Sequence, residues 1–523
     1  MPLTALPMLD FSQIKTPAEH GRVLLVPDAA GLSAATHANH SALDAEHVPL
    51  LDSTLAECRR EVRSRLTGDD DQLIIVTGHD PGFIHPGVWA KHIVVSRLAA
   101  AMHGTGINLV VDSDSPKATV LAIPSVIDGN VTATSIPSVP IASGISLEDA
   151  KPLGADELAD WCGRIESVLG DRFAASQMPR FRDGLRTAPD KSDWVDQLVA
   201  ARVAIEADLG VALANLRISR VWHSPLLLDM LLNADRFASS YNRALAGYRK
   251  SNRVRGASRP IPDLRRTNGR QEAAVWVHRP DKPRRRLFVE CGGSTLTLFA
   301  ENTELCTIPV RELQSCGDLE TLHRALGSWR IRPRALTLTL WARLLLADLF
   351  VHGIGGAKYD RITDAIIADY YRVAAPAMAC ASATLHLDLP TNPMTAERFA
   401  HLRQDARRFQ FNPQRGLDPS DDLNSLLVRR ERLVERSGSL RDREAKNHKA
   451  RREVFNEIRQ VSAELHTLRP DALTRRQSEL SEAAEALARN QVATGREYFF
   501  GLYDRARLEI LLGTLPTIGD FAV

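Results

Sequence analysis

The 523-residue sequence predicts an α/β protein: a parallel-sheet core with helical and β-meander insertions and a C-terminal coiled-coil hairpin. Three observations predict this fold class. Short apolar runs alternate with helix-like segments near the N-terminus, which is typical of βαβ units. Apolar runs separated by turn residues follow in the middle of the chain, and apolar residues recur every seven positions near its end. With 44% hydrophobic and 25% charged residues, the composition is that of a globular protein.

The predicted core begins within residues 1–145. Three apolar runs end in turn-forming residues: RVLLVPDAAG from Arg22, LIIVTGHDPG from Leu73 and INLVVDSDSP from Ile107. A helix-like stretch separates the second run from the third. Such runs are typical of strands that are buried on both faces of a parallel sheet. We therefore expect residues 1–145 to form the first half of a Rossmann-like core.

The rest of the chain divides into five segments by its patterns. Residues 146–246 carry apolar positions at helical spacing and are predicted as a helical section. Residues 247–330 are predicted as a basic loop and β-meander insert. Residues 331–420 contain a long apolar helix, a glycine turn and a second helix that return the chain to the core. Residues 421–495 are predicted as the coiled-coil hairpin, and residues 496–523 as a C-terminal return.

A seven-residue repeat carries the coiled-coil prediction. The spacing indicates a helix of about 45 residues that folds back, after Pro470, on a shorter partner. Asn447 would lie in the apolar seam, where polar residues set the register. A homodimer formed through this coil is a candidate assembly. The repeat consists of Leu426, Leu433, Leu440, Asn447, Val454, Val461 and Leu468.

Charge and cysteine content exclude several classes of protein. The formal net charge of +2 excludes a polybasic nucleic-acid binder, so nucleic acid is not an expected partner. Thirteen basic and three acidic residues nevertheless fall within 247–286, a local excess of +10 that could face a phosphorylated or carboxylated ligand. Six cysteines without a C-x-x-C pair, and the lack of a signal-like or long apolar segment, predict a cytoplasmic protein with no membrane partner.

The segment from Thr77 to His92 is the strongest candidate site. It lies between a predicted strand and a predicted helix, where parallel sheets bind ligands and helix N-termini attract anions. A glycine-rich turn with capping residues and a surface lysine is the alternative interpretation. The expected functional roles are proton transfer by His79 and His85, and substrate binding by Gly78, Asp80, Gly82 and Lys91.

Asp112 and Asp114 end the next predicted strand. Two carboxylates at this spacing could hold Mg²⁺ or bind the hydroxyl and amine groups of a substrate. A strand-to-loop turn with aspartate capping explains the same spacing. The sequence does not identify a metal.

A third candidate segment, residues 352–360, follows a predicted apolar helix. Its glycines suit a tight turn that brings backbone amides to a ligand, although a helix C-cap explains one or two of them. His352 is a candidate catalytic residue here. The candidate substrate-binding residues are Gly355, Gly356, Lys358 and Tyr359. No G-x-S-x-G or H-E-x-x-H motif occurs, so serine hydrolase and zincin activities have no support.

The order of these features resembles the cysteine-adding ligases of bacillithiol biosynthesis. Gly78–His92 is similar to that family's G-Q-Q-x-G-L-x-x-G-P-L-Y-x-x-x-K stretch, and Asp112-Ser113-Asp114 takes the place of its G-E-D-H-D signature without the histidine. Gly353–Tyr359 resembles its G-P-G-E-I-x-Y element, without the glutamate. The closing REYFFGLYDRARLEILLG segment is also similar.

The resemblance implies a small-molecule ligase or transferase. It would join an amino acid or similar carboxylate to an amine-bearing, amino-sugar-like substrate in a cleft at the sheet edge, and a nucleotide with Mg²⁺ is a candidate cofactor. Two alternatives stay open. Asp112, Asp114 and the basic segment also suit a metal-dependent nucleotide-sugar transferase, and the seven-residue repeat suits a non-catalytic coiled-coil assembly protein.

Overall fold

The computed structural model describes residues 11, 13–115, 119–139, 141–189, 192–256, 259–415, 417, 420–441 and 448–521. The chain forms two compact units. The first contains residues 1–123, 134–386 and 496–523, and the second contains residues 124–133 and 387–495. Helices are combined with parallel and antiparallel strands, so the predicted α/β class with parallel strands is confirmed.

The strands are numbered in chain order among the described residues. They are β1 Val23–Val26, β2 Pro49–Leu50, β3 Ser53–Thr54, β4 Ile74–His79, β5 Thr105–Val110, β6 Val120–Ile127, β7 Asn130–Pro137, β8 Ala214–Arg217, β9 Arg266–Thr267, β10 Arg270–His278, β11 Arg285–Cys291, β12 Thr295–Ala300, β13 Thr303–Pro309, β14 Arg330–Pro333, β15 Leu349–His352 and β16 Met378–Ala383.

The α-helices are numbered in the same way. They are α1 Ala29–Asp44, α2 Leu55–Thr67, α3 Pro86–Ala101, α4 Ala155–Leu169, α5 Arg172–Ala175, α6 Met178–Arg186, α7 Trp194–Asp208, α8 Ile218–Val221, α9 Pro225–Leu232, α10 Ala234–Ser251, α11 Leu319–Leu326, α12 Ala335–Trp341, α13 Ile354–Tyr359, α14 Arg361–Ile366, α15 Ala396–Phe411, α16 Asp421–Arg441, α17 His448–Leu468, α18 Pro470–Ala493 and α19 Arg505–Thr514.

The main sheet of the first unit has the strand order β1-β16-β15-β4-β5-β8. All neighbouring strands are parallel except β1, which pairs antiparallel with β16 at one edge. From β4 the chain adds β5 and β8 on one side, and it later adds β15 and β16 on the other side. The direction of strand addition therefore reverses between β4 and β15.

Two strands of this sheet differ from the sequence prediction. Residues 214–217 were expected in the helical section, but they form the edge strand β8 beside β5. Residues 349–352 were expected within a long apolar helix, but they form β15, and the preceding helix α12 ends in a π-helical turn at Ala342–Leu346. A short apolar run suits a buried strand and a buried helix equally, so periodicity does not distinguish the two.

The insert after α10 forms a second, antiparallel sheet. Its strand order is β13-β12-β11-β10-β14, with β9 paired to β10. The four apolar runs predicted as a meander are β10 to β13, and each pairs with the next along the chain. Alternating buried residues such as Leu296 and Leu298 face the core of the first unit.

Some arginines of the basic segment at 247–286 pair with acidic residues. Arg249 pairs with Asp263 at 2.7 Å, and Arg270 pairs with Glu290 at 3.3 Å. Arg270 also lies over the ring of Phe299. Asp263 is already counted in the local excess of +10, so the acids that reduce this excess are those outside the segment: Glu290, Asp235 and Asp114.

The second unit contains the helices that carry the seven-residue repeat. Helices α16 and α17 pack against each other, and Leu433, Val454 and Val461 are buried in their shared apolar cluster. The repeat is thus divided between two contacting helices, where the sequence predicted one helix of about 45 residues. Asn447 lies outside the described residues. In the same unit, Asn392 contacts Asn490 on α18 through its backbone and its side chain.

No described helix is both long enough and apolar enough to cross a lipid bilayer. All six cysteines are free thiols.

Candidate functional site

The candidate site lies where the strand order reverses, between the carboxyl ends of β4 and β15. Crevices at this position of an open parallel sheet are the usual place for ligands, because the loops diverge there. The loop after β4 leads into α3, and the loop after β15 leads into α13. Both glycine-containing segments predicted from the sequence are therefore adjacent in the first unit.

The first loop is held by its own polar groups. Asp80 Oδ1 accepts a hydrogen bond from the Gly82 backbone N–H at 3.1 Å, which is an Asx turn. His79 Nδ1 lies 3.3 Å from Asp80 Oδ2, and the His79 side chain is 36% exposed. Gly78 has a packing reason, because a Cβ there would lie 3.1 Å from the backbone oxygen of Leu109. His79 is thus the accessible histidine of this loop.

His85 caps helix α3. Its Nδ1 accepts a hydrogen bond from the Gly87 backbone N–H at 3.1 Å, so the proton of the neutral ring belongs on Nε2. Burial, together with the charges of Arg496, His79 and Lys91, lowers the pKa of His85 to about 4. At neutral pH this imidazole is uncharged and offers an N–H donor.

Lys91 is buried one turn further along α3, with only 3% of its surface exposed. Its Nζ donates to the Gly78 carbonyl at 2.9 Å, at the end of β4. A Cβ placed on Gly353, directly after β15, would lie 4.0 Å from the Lys91 Cδ. Burial lowers the pKa of Lys91 to about 8, although Asp80 and Cys380 act in the opposite direction. The lysine therefore spans the two strands at the point of reversal.

Arg496 completes this cluster, and the sequence did not predict it. It belongs to the C-terminal return and packs on the first turn of α3, since a Cβ on Gly87 would lie 2.6 Å from its Nη2. The Nε and Nη1 atoms of Arg496 are buried and have no hydrogen-bond partner among the described residues. Burial lowers the pKa of Arg496, while Glu497 and Tyr503 raise it.

These unsatisfied donors fit an anion. A buried polar group without a partner costs about 1–3 kcal/mol, and a guanidinium binds carboxylate or phosphate through paired N–H groups. The first backbone N–H groups of α3 do not supply the donors, because those of Gly87, Val88 and Trp89 already bond to His85. An anion at this edge would therefore be held by side chains, with Arg496 as the cation whose buried donors lack a partner among the described residues.

The second loop carries a buried histidine–aspartate pair. His352 Nε2 lies 2.9 Å from Asp360 Oδ2, and Arg343 Nη1 donates to the same oxygen at 2.7 Å. Thr339 Oγ1 donates to the other carboxylate oxygen. The pKa of Asp360 is held well below its usual range: burial opposes this shift, but the Arg343 and His352 contacts outweigh it. His352 is thus fixed at the end of β15 by a strong ionic network.

The other residues of the second loop differ in their surroundings. Gly356 is required by packing, because a Cβ there would lie 2.8 Å from the His352 Nδ1, whereas Gly355 faces open space. Tyr359 is 46% exposed, and its ring lies 6.1 Å from that of Tyr248. Cys380 of β16 pairs with His352 in the sheet. Burial raises the pKa of the Cys380 thiol to about 12, and the positive charges of Lys91 and Lys358 oppose this rise.

Asp112 is fully engaged at the end of β5. Its carboxylate accepts hydrogen bonds from Arg217 Nε at 2.7 Å, from the Ser219 backbone N–H at 2.9 Å and from the Ser219 hydroxyl at 2.5 Å. The side chain is completely buried. These contacts explain Asp112 as the link between β5 and the segment after β8.

Asp114 lines a pocket beside the first loop. Its Oδ1 lies 2.6 Å from Arg284 Nη2, a residue of the basic segment. The pocket has a volume of about 30 Å³, which is room for a water-sized molecule, and it is lined by Asp80, Gly82 and the ring of Trp194. Asp114 and the loop after β4 therefore share one small pocket.

The structure brings most of the predicted site residues together. Gly78, His79, Asp80, His85 and Lys91 surround the end of β4, while His352, Gly356 and Lys358 lie at the neighbouring end of β15. Asp112 and Asp114 lie one strand away, at the end of β5. No protein-family model matches this sequence, and no curated protein matches it at a significant level.

Proposed function

We propose that the reversal point between β4 and β15 binds an anionic small molecule in a ligase or transferase reaction. The reaction would join an amino acid or similar carboxylate to an amine-bearing, amino-sugar-like substrate. The observation that carries the proposal is Arg496, whose buried Nε and Nη1 have no hydrogen-bond partner among the described residues. Lys91 is a second buried cation at this edge, and the charges of both residues act on His85. Desolvated cations at a ligand-binding edge are stabilised when an anion binds near them.

The residues of the cluster divide into binding and proton-transfer groups. Arg496 and Lys91 would hold the carboxylate or phosphate, and the neutral His85 would donate an N–H to the same substrate. For coupling, the carboxylate would arrive activated as an acyl phosphate or an ester. The amine nitrogen attacks the carboxyl carbon, the bond from that carbon to the phosphate or alcohol oxygen breaks, that group leaves with the bonding electrons, and the amine proton passes to a base. His79 suits that base, because it is the most accessible histidine of the loop and lies against Asp80.

A nucleotide with Mg²⁺ is a less natural fit to the described residues of this edge. Asp112 is bound by Arg217 and Ser219, and Asp114 is paired with Arg284, so these carboxylates already have cationic or donor partners. A hard divalent cation prefers several carboxylate oxygens that are available together. We therefore derive no step through a metal-bound nucleotide. The nucleotide-sugar transferase, which depends on the same two aspartates, stays a prediction.

Several finer assignments belong to this proposal. The strand reversal supports a Rossmann-like core, and the packing of α16 on α17 supports a coiled-coil hairpin. Distant kinship with the cysteine-adding ligases of bacillithiol biosynthesis rests on the quoted motifs alone. The free thiols support a reducing, cytoplasmic environment. Self-association through the hairpin stays a prediction.

Titration calorimetry on the full chain tests the anion site. The probes are inorganic phosphate, dicarboxylates, amino acids and amino-sugar conjugates of carboxylic acids. We expect at least one probe to bind, and Arg496→Gln to weaken its binding roughly 10- to 100-fold, because hydrogen bonds to charged groups contribute about 1.5–3 kcal/mol. The matched control is Arg505→Gln, a half-exposed arginine of the same return that pairs with Glu509. We expect that control to leave the affinity within twofold.

The chemistry requires a separate measurement. His79→Ala should reduce the coupling rate of a bound substrate pair while leaving its dissociation constant unchanged, since His79 is assigned to proton transfer. A wild-type protein that binds none of the probes would contradict the proposal. Equal loss of affinity in the Arg496 and Arg505 variants would also contradict it.

A further inference from the structure

A second cluster of polar side chains lies at the opposite, amino end of the main sheet. His40 and Asp44 occupy the last turns of α1, one helical turn apart, and Asp71 lies in the loop that enters β4. Asp348 directly precedes β15 and accepts a hydrogen bond from the Ile74 backbone N–H at 2.6 Å. The proposed function uses none of these residues.

Three potential ligand atoms converge in this cluster. His40 Nε2 lies 3.3 Å from Asp44 Oδ2 and 3.9 Å from Asp71 Oδ1, and the three ligand atoms lie within 4.8 Å of one another. Tetrahedral Zn²⁺ has nitrogen and oxygen ligands at about 2.0–2.2 Å, which places neighbouring ligand atoms roughly 3.3–3.6 Å apart. Small side-chain adjustments would therefore bring all three atoms to coordination distance.

Asp348 gives the histidine the orientation that metal ligation needs. Its Oδ1 lies 3.1 Å from His40 Nδ1, so a neutral His40 donates from Nδ1 and presents the lone pair of Nε2 to the two carboxylates. Histidine ligands of metals usually donate their second ring N–H to a carboxylate in this way. Asp348 is itself completely buried and is held by Arg59 and Arg63.

The cluster carries an excess of one negative charge when His40 is neutral, because the three carboxylates of Asp44, Asp71 and Asp348 face the two guanidinium groups of Arg59 and Arg63. Arg59 and Arg63 pair with Asp348, and the nearest cation to Asp44 is Arg59 Nε, 3.6 Å from Oδ1. Asp44 Oδ1 is buried and has no hydrogen-bond partner among the described residues. Asp44 also ends α1, where the helix dipole opposes a negative charge. A cation bound at Oδ2, the oxygen that faces His40, would balance the excess negative charge and offset the unfavourable position of Asp44 in the helix dipole.

We propose that His40, Asp44 and Asp71 form a binding site for one divalent transition-metal ion, of which Zn²⁺ is the best match. An imidazole with two carboxylates suits Zn²⁺ and similar ions better than Mg²⁺ or Ca²⁺, which prefer all-oxygen sites. Water would complete the coordination. The ion would tie the end of α1 to the loop before β4, so its role is structural and is independent of the anion site.

Metal titration of the full chain tests this site. After removal of metals with a chelator, we expect one equivalent of Zn²⁺ to bind and to raise the unfolding temperature. Co²⁺ should give the strong visible absorption of a tetrahedral complex. Asp71→Asn should weaken Zn²⁺ binding at least tenfold; because the Asp71 side chain is 95% exposed, this variant should fold normally. His40→Gln should abolish binding.

Asp70→Asn is the matched control, since it removes a neighbouring exposed acid that belongs to no part of the cluster. It should leave the Zn²⁺ affinity within twofold. Absence of Zn²⁺ binding in the wild-type protein would overturn the proposal and would show that the cluster is only an ionic network. Stoichiometric binding that survives both Asp71→Asn and His40→Gln would also overturn it, because the metal would then occupy other histidines or thiols.

Discussion

At the scale of single residues, the candidate site depends on cations that are costly to bury. Lys91 is almost inaccessible and its ammonium has one hydrogen bond, to Gly78, among those found in the structure. Arg496 contributes two buried donors that have no hydrogen-bond partner in the part of the chain that the structure describes. Desolvated charges of this kind destabilise a folded protein unless a counter-charge is present. Residues that reduce stability and converge at a ligand-binding edge are typical of functional sites.

Lys91→Met should therefore stabilise the protein while it weakens anion binding. The folded-state pKa of about 8 is below the usual 10.5. Below pH 8 both the folded and the unfolded chain carry the charge, so the folded state bears the full cost of burial. Between about pH 8 and 10.5 the unfolded chain binds more protons, so the stability of the wild-type protein rises with pH relative to the variant.

Urea unfolding at pH 7 and pH 10 measures this difference. At pH 7 we expect the variant to be more stable by roughly 2–3 kcal/mol, and at pH 10 the advantage should largely disappear. Other groups that ionise at pH 10 are common to both proteins and cancel in the comparison. Lys358→Met, at a half-buried position, is the control and should change stability little. A Lys91→Met protein that is destabilised equally at both pH values would contradict this account.

At the scale of elements, the sequence predicted strands that are bounded by turn residues. Val23–Val26 and Ile74–His79 are short apolar runs followed by Pro, Gly and Asp residues, and both are strands of the main sheet. Ala214–Arg217 is half polar and follows a helical pattern, so its place in the sheet depends on pairing with β5. Leu349–His352 continues an apolar helix without a local break. Both segments are strands because they pair with distant strands of the sheet, and the periodicity of the sequence carries no information on that pairing.

The site was predictable to the extent that it lies on two local segments. Glycines and charged residues after apolar runs identified the segments that follow His79 and His352, although the second was predicted to follow a helix and instead follows β15. Gly78 and Gly356 were predicted to bind substrate, but both have a packing reason as well, against Leu109 and His352. Arg496 had no local signal, because its role depends on contact with a helix about 400 residues earlier in the chain.

The ionic network around Asp348 joins α1, α2, β4 and β15, and its removal should be costly. Asp348→Asn would remove the buried counter-charge of Arg63 and would leave Arg59 with only its longer, 3.6 Å contact to Asp44. We expect a loss of about 3–5 kcal/mol in the free energy of unfolding. Asp114→Asn is the control, since Asp114 is 42% exposed in its pair with Arg284 and should cost less than about 1 kcal/mol. Similar losses of unfolding free energy in the two variants would show that the buried network stabilises the protein no more than the exposed Asp114–Arg284 pair does.

At the scale of the whole molecule, the C-terminal return from Arg496 packs on helix α3, which begins within the first hundred residues of the chain. Phe500 is completely buried and stacks on Trp89 of α3 with ring centroids 5.0 Å apart. Its backbone N–H donates to the Ile84 carbonyl at 2.9 Å, in the loop after β4. Tyr503 donates its hydroxyl hydrogen to the Leu385 carbonyl. The return segment that supplies Arg496 is thus anchored on the same helix whose first turn Arg496 contacts.

Phe500→Ala should therefore reduce both stability and anion binding. Removing a buried aromatic ring typically costs 3–5 kcal/mol, and here it also frees the segment that positions Arg496, four residues earlier. Unfolding followed by tryptophan fluorescence should show the loss, because Trp89 stacks on this ring. Calorimetry with the best anionic probe, under conditions where the variant is still folded, should show weaker binding.

Phe411→Ala, at a position that is 58% exposed, should change neither stability nor anion affinity appreciably. If Phe500→Ala lowers stability but leaves the anion affinity unchanged, the packing of Phe500 stabilises the fold only. The position of Arg496 then does not depend on that packing.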